Sequence, residues 1–231
     1  QAVTGDSTRK SATAFAPASV GNVAVGFDIL GHTVTALGDK VRATRRAEPG
    51  VAIRSITGTV ENLPLAAEKN TAGMAVLALC RELSLPYGFD LDIEKGIPLG
   101  SGLGGSAASA VAGIVAAAAL VDEPLERTEL LKFAMQGEAV ASGSVHVDNI
   151  APSLYGGLVL TVGIDNPFVK QIPVPDTIRC VLVHPHMVLP TREARAILSK
   201  SVPLSDVIWQ QANLAGFLAG CFTSDIALIR E

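Results

Sequence analysis

Pro98-Leu99-Gly100-Ser101-Gly102-Leu103-Gly104-Gly105-Ser106-Ala107-Ala108-Ser109 is the stretch on which the reading of this chain turns. Four glycines fall within six positions, and small, mostly apolar residues then run on to Val121. That run predicts a helix over residues 107–121. Glycine, lacking Cβ, takes positive φ and lets a ligand approach the backbone. A helix N-terminus presents unpaired N–H groups and partial positive charge. Loop and helix together predict a phosphate-binding site.

Three other readings of the loop are weaker. A Walker A motif is excluded, because its lysine is missing. Gly100-x-Gly102-x-x-Gly105 matches the dinucleotide fingerprint, with Asp122 near the place of the ribose acid. That motif should follow a strand buried on both faces, whereas residues 89–94 alternate apolar and acidic, like a strand with one wet face. A plain turn capped by Ser106 would carry the entropic cost of so many glycines without a ligand to offset it.

Upstream, residues 87–94 read as the strand entering the loop, and residues 70–83 as a helix with Asn70 or Thr71 as its cap. Residues 11–16, 29–34, 40–46 and 51–56 read as strands, broken at Pro17, at Gly38-Asp39 and at Pro49-Gly50. Between the first two, Asn22 and Asp28 sit in a loop with two glycines and could face a ligand.

Downstream, residues 126–141 read as a helix on which Leu131, Ala134, Glu138 and Ala141 form one inward stripe. Glu138 thus occupies an apolar place. A buried carboxylate is costly unless paired or bound to a cation; at a stripe edge it would instead reach water. His146, Asp148 and Asn149 bunch together between Gly143 and Gly156-Gly157. A single histidine is more often structural, but three polar residues between glycine turns favour function. A strand follows to Val162, and Asp165-Asn166-Pro167 is the best place for a boundary between two units. Beyond it, residues 169–173 and 178–184 read as strands, and helices start at Pro190 and Leu204. Thr191 suits a helix N-cap. Arg195 in a first turn opposes the helix dipole unless an anion is near. His184-x-His186 has no third metal ligand in view.

The bulk properties narrow the class. A length of 231 residues suits one large domain or two modest ones, and 48% hydrophobic residues supply a core. A net charge of −4 without a basic run argues against a nucleic-acid surface. Cys80, Cys180 and Cys221 are far apart and odd in number, which favours a reducing compartment over a disulfide framework. Residues 1–10 have no signal-peptide core, and the 107–121 run is shorter than the ~20 residues that cross a bilayer. A cytoplasmic protein with no membrane partner is expected. Gln1 is not an initiator methionine and the last residues look helical, so both ends are expected to be cuts.

Residues 98–108 resemble the glycine-rich phosphate motif of the GHMP kinases. The chain is similar, more narrowly, to the homoserine kinase family, through Phe15-Ala16-Pro17-Ala18-Ser19-Val20-Gly21-Asn22, Gly26-Phe27-Asp28-Ile29-Leu30-Gly31, Gly137-Glu138, the segment from Ser144 to Pro152, and Thr191-Arg192-Glu193-Ala194-Arg195. The resemblance runs from Ser11 to the end, and it is these segments together that make it specific. It implies a two-domain α+β fold: a ribosomal-protein-like ATP-binding domain over residues 1–164, and the start of a truncated ferredoxin-like domain over 165–231. The reaction implied is transfer of the γ-phosphoryl of ATP to the side-chain hydroxyl of L-homoserine, a step toward threonine.

The resemblance also implies roles. Backbone N–H groups from Pro98, Leu99, Gly100, Ser101, Gly102, Leu103, Gly104, Gly105, Ser106, Ala107 and Ala108 cradle the phosphates, and Ser106 with Glu138 holds Mg2+. Asn22, Asp28, His146, Asp148, Asn149 and Arg195 surround homoserine, with Asp28 suited to its ammonium and Arg195 to its carboxylate. Thr191 lies near the γ-phosphate. Mevalonate kinase places an aspartate base before the Gly-Gly turn. Counting back from Gly156-Gly157, that place falls on Asn149, which cannot take a proton; the phosphate itself or water then accepts it. Gly105 stands where many members carry serine. The family's C-terminal glycine-rich motif and a further substrate arginine do not occur before Glu231, so the expectation is weak ATP binding and little turnover by these residues alone. A homodimer is compatible with the resemblance.

Overall fold

The computed structural model describes residues 2–6, 8–60, 62–142, 145–163, 165–183 and 191–231, without the side chains of residues 141, 142, 191 and 192. Six strands form one mixed sheet: β1 (Ser11–Val20), β2 (Leu30–Arg46), β3 (Gly50–Gly58), β4 (Gly88–Lys95), β5 (Leu158–Val162) and β6 (Phe168–Ile172). Their order is β3-β4-β2-β5-β6, with β1 also paired to β2. All pairs are antiparallel except β3 with β4. That parallel pair is joined through α1 (Thr71–Glu82), as a crossover requires. The remaining helices are α2 (Gly105–Ala118), α3 (Arg127–Ser142), α4 (Val147–Tyr155), α5 (Thr191–Ala196), α6 (Leu204–Thr223) and α7 (Ile226–Arg230). The mixed α+β class is therefore as expected.

Three local expectations are corrected, and one segment left unassigned gains a helix. Residues 29–34 and 40–46 form a single strand, because β1 pairs along both parts and through Ala16↔Asp39 and Pro17↔Gly38. Pro17 does not end β1. Its missing N–H falls beside a register shift before Ser19, where the ladder needs no donor. Residues 146–155, to which no element was assigned from the sequence, are the cap and body of α4, with Pro152 in its interior. Residues 178–183 form no strand: they pair with no strand among the described residues, and Val181 and Val183 are 83% and 86% exposed.

Alanine decides how the core packs. α2 is buried on almost every side, from Ala107 through Ala118, against β1 and β2 below and α1 and α3 above. Small side chains let these helices come close. Asn70 caps α1 by accepting from the Ala72 and Gly73 amides. A Cβ on Gly137 of α3 would lie 2.4 Å from the Thr71 carbonyl oxygen and 2.9 Å from Ala75 Cβ. Gly137→Ala is therefore expected to destabilise by about 1–3 kcal/mol through overpacking, reversing the gain of up to about 1 kcal/mol that alanine brings to an open helix. A lower urea midpoint at constant slope would show it. A raised midpoint would mean that α1 yields instead.

On the edge formed by β5 and β6, Leu158 and Ile172 pack with Phe217, Leu218 and Cys221 of α6. Gln210 of the same helix donates to the Val25 carbonyl, tying α6 to the loop between β1 and β2. Among the described residues no helix is long and apolar enough to cross a membrane.

Candidate active site

The glycine loop bridges β4 and α2, and Gly100, Gly102 and Gly104 all have positive φ (68°, 71° and 64°). Gly104, not Ser106, is the N-cap of α2; Ser106 lies in the first turn. Glycine is required at 104 for space as well as for its backbone angle, since a Cβ would fall 2.2 Å from Ser19 Oγ and 3.0 Å from Asn149 Oδ1. The loop is docked on two elements. The Ser19 amide of β1 donates to the Leu103 carbonyl at 3.1 Å. The Ser19 hydroxyl donates to Asn149 Oδ1 of α4 at 3.2 Å.

Opposite the loop, the segment between β1 and β2 is held in strained conformations. Asn22, Ala24 and Asp28 all have positive φ (56°, 50° and 62°). Asn and Asp tolerate this region better than most residues, and such strain tends to cluster at functional sites. The Asp28 amide donates to Asn22 Oδ1 at 2.9 Å, and the Asn22 amide donates to Asp148 Oδ2 at 3.2 Å.

Glu138 is 5% exposed, and its Oε1 lies 3.5 Å from His146 Nδ1. The other oxygen, Oε2, and the buried Ser106 hydroxyl both lack a hydrogen-bond partner among the described residues. The inward position read from the helical stripe is thus the real one. The hydrogen bond that His146 donates to Glu138 raises the His146 pKa, outweighing the opposing effect of burial. His146 therefore adds stability that is fully present below its unfolded pKa near 6.5 and is lost as pH rises through the higher folded value. His146→Gln is expected to flatten that part of a plot of Tm against pH. An unchanged slope between neutral and mildly alkaline pH would contradict the pairing.

Asp148 is buried, and its pKa is raised, first by burial and then by the charge of Asp28. Arg195 of α5 makes a bidentate pair with Asp28, at 2.9 and 2.5 Å, and its guanidinium lies over the Phe27 ring. The hydrogen bond to Asp28 is the main cause of a raised Arg195 pKa. Because α5 ends at Ala196, Arg195 lies in its last turn, where a cation suits the dipole, and the expectation that it opposes the dipole from a first turn is corrected; the anion it pairs with is Asp28.

A cavity of about 690 Å3 is lined by the loop, Asn22, Ser106, Glu138, His146, Asp148, Asn149 and Arg195. Asp28 lies outside it, in an adjoining cavity of about 950 Å3 that shares His146, Asp148 and Arg195. Those three residues form the wall between the two spaces. Thr191 begins α5, but its side chain lies outside the described residues, as do His184 and His186. Sequence reasoning passed over Ser19, Asp39, Lys95 and Ser109 around the loop. It also passed over Leu63, Pro64, Lys69 and Thr71, which line the far end of the loop cavity.

A glycine loop at the mouth of a buried helix, with an inward acid lining the same cavity, suits the binding of phosphate groups. Residues 70–157 match the model of the GHMP kinases N-terminal domain. Homoserine kinase of Xylella fastidiosa (strain M12) is 52% identical over 225 residues, covering 96% of this chain and 68% of the relative. Homoserine kinase of Xanthomonas campestris pv. campestris (strain B100) is 50% identical over 221 residues, covering 96% and 68%. The crystal structure of homoserine kinase from Cytophaga hutchinsonii superposes with a TM-score of 0.89 at 43% identity, over 97% of this chain and 71% of that one. The chain belongs to the homoserine kinase family.

Proposed function

We propose that this protein transfers the γ-phosphoryl group of ATP to the side-chain hydroxyl of L-homoserine, giving O-phospho-L-homoserine for threonine synthesis. The observation that carries the reading is a pair of buried oxygens, Ser106 Oγ and Glu138 Oε2, that have no hydrogen-bond partner among the described residues and belong to residues lining the same cavity as the glycine loop. Buried oxygens without a donor are costly unless a ligand satisfies them, and this pair suits a hard divalent cation. Ser106 and Glu138 would hold Mg2+, which when bound neutralises charge developing on the phosphoryl oxygens.

The backbone N–H groups from Gly100 to Ser106 would cradle the ATP phosphates, because N–H groups in the first turn of a helix have no intrahelical acceptors. Asn22, His146, Asp148, Asn149 and Arg195 would surround the amino acid, and Asp28 would take its ammonium. The Asn149 amide is oriented by Ser19 and by Asp148, to whose Oδ1 it donates at 3.4 Å. It can align the acceptor hydroxyl but cannot take up its proton, which then passes to the phosphate or to water. Thr191 would stand near the γ-phosphate.

The division into residues 1–164 and 165–231 would run through the connection between β5 and β6. The free state of Cys80, Cys180 and Cys221 supports a cytoplasmic location.

Isotope-labelled ATP offered with homoserine, mevalonate, galactose and shikimate tests the substrate. Label is expected in homoserine alone. Labelling of mevalonate but not homoserine would reject it.

A further inference from the structure

The chemistry proposed above leaves one buried ion pair unused. Asp39 of β2 is fully buried and Lys95, the last residue of β4, is 5% exposed. Asp39 Oδ1 accepts from the Gly96 and Ile97 amides at 3.0 and 3.2 Å, the two residues before Pro98. Asp39 Oδ2 accepts from Lys95 Nζ and, at 2.6 Å, from the Ser109 hydroxyl. Lys95 Nζ also donates to the Gly105 carbonyl and to Ser109 Oγ, each at 2.8 Å. One carboxylate and one ammonium thus grip the chain where it enters residues 98–104 and again where it leaves them for α2.

Stability alone is a poor account of this arrangement. Buried ion pairs are often no better than apolar residues of the same volume, because desolvation consumes the Coulomb gain. A cation beside the first turn of a helix also opposes the macrodipole. Both features make sense where an anion is to be received. Lys95 and Ser109 line the cavity that the glycine loop lines, whereas Asp39 does not, so the positive charge is the one nearer the ligand space. All three ammonium donors are already engaged, which leaves Lys95 no free proton with which to bind a phosphate oxygen directly.

We propose that Asp39 and Lys95, bridged by Ser109, are positioning residues that fix the phosphate loop in its nucleotide-binding shape and set positive potential beneath it. The proposal deepens the kinase reading and rests on it. The test compares wild type, the double variant Asp39→Asn/Lys95→Met and the single variant Ser109→Ala. Three quantities are measured: the Kd for MgATP, the KM for homoserine and Tm. Loss of these charge-assisted bonds should weaken MgATP binding by about tenfold or more in the double variant. The KM for homoserine should stay within about twofold, on the expectation that sites without shared partners act independently. Ser109→Ala, which keeps both charges, should weaken MgATP binding by a smaller factor and leave homoserine unaffected.

A merely structural pair would lower Tm and leave the MgATP Kd of the folded variants unchanged, which would overturn the proposal. If the double variant does not fold, unchanged MgATP binding by Ser109→Ala overturns it equally. Failure of the kinase reading looks different: wild type would bind MgATP, with the variants weakened as above, yet transfer no label to homoserine.

Discussion

Glu138→Ala is expected to lower kcat for homoserine phosphorylation by about a thousandfold, roughly 4 kcal/mol of barrier, while ATP affinity changes by less than about threefold, since backbone amides carry phosphate binding. Glu138 holds a carboxylate oxygen with no partner among the described residues, and the Ser106 hydroxyl, on a residue lining the same cavity, is in the same condition. An oxygen left bare in that place is useful once charge must be neutralised in the transition state, and much less so for holding the ground state. The variant should fold, because it removes a buried charge together with the cost of its desolvation. His146 would lose its Glu138 partner but keep part of its surface in water. Steady-state rates with saturating homoserine and a separate nucleotide-binding titration distinguish the two effects. A loss of under tenfold in kcat would remove Glu138 from the metal site, as would an ATP affinity that falls in step with the rate.

Glu138 also shows how far the sequence could be read. Its place on the stripe with Leu131 and Ala134 follows from helical periodicity, and its burial agrees. The glycine loop was legible for a similar reason: few sequences keep so many glycines ahead of an alanine helix unless the backbone must bend and approach a ligand. What the sequence concealed was pairing across long separations. Gly38-Asp39 looks like a turn when read locally. In the folded chain β1 lies alongside it, and tertiary pairing overrides the local signal. The same error hid the loop anchor. Asp39 shares its strand face with Val41 and Ala43, and Lys95 shares one with Phe89, Leu91 and Ile93; all of these residues are buried. Two inward-facing opposite charges at the ends of apolar stripes were a visible signal, since neither could be buried alone. Nothing local could show that they meet, 56 residues apart in the chain. Nor does local pattern reveal that residues 178–183, rich in valine, would lie without a strand to pair with.

The Asp28–Arg195 pair leads to the second large effect. Each residue is proposed to take one charge of the amino acid, yet here they neutralise each other through two hydrogen bonds, with side chains 41% and 37% exposed. A zwitterion entering between them must open that pair, at a cost of about 1 kcal/mol for a partly exposed ion pair. It gains a charge-assisted contact on each side, taken as about 2.5 kcal/mol each. Removing one partner loses one contact but also spares the opening cost. Asp28→Asn and Arg195→Ala should therefore each raise the KM for homoserine by only about tenfold, or 1.5 kcal/mol. The double variant loses both contacts and spares the opening cost once, so it should lose about 4 kcal/mol, close to a thousandfold. That exceeds the sum of the single effects by the energy of the pair, which a double-mutant cycle isolates. The KM for ATP should hardly move in any of the three. Two ligands that act independently would give strictly additive losses, and a pair that only fastens α5 to the Asn22–Asp28 loop would lower Tm without this pattern in KM. Either result would mean that Asp28 and Arg195 do not open to admit the substrate.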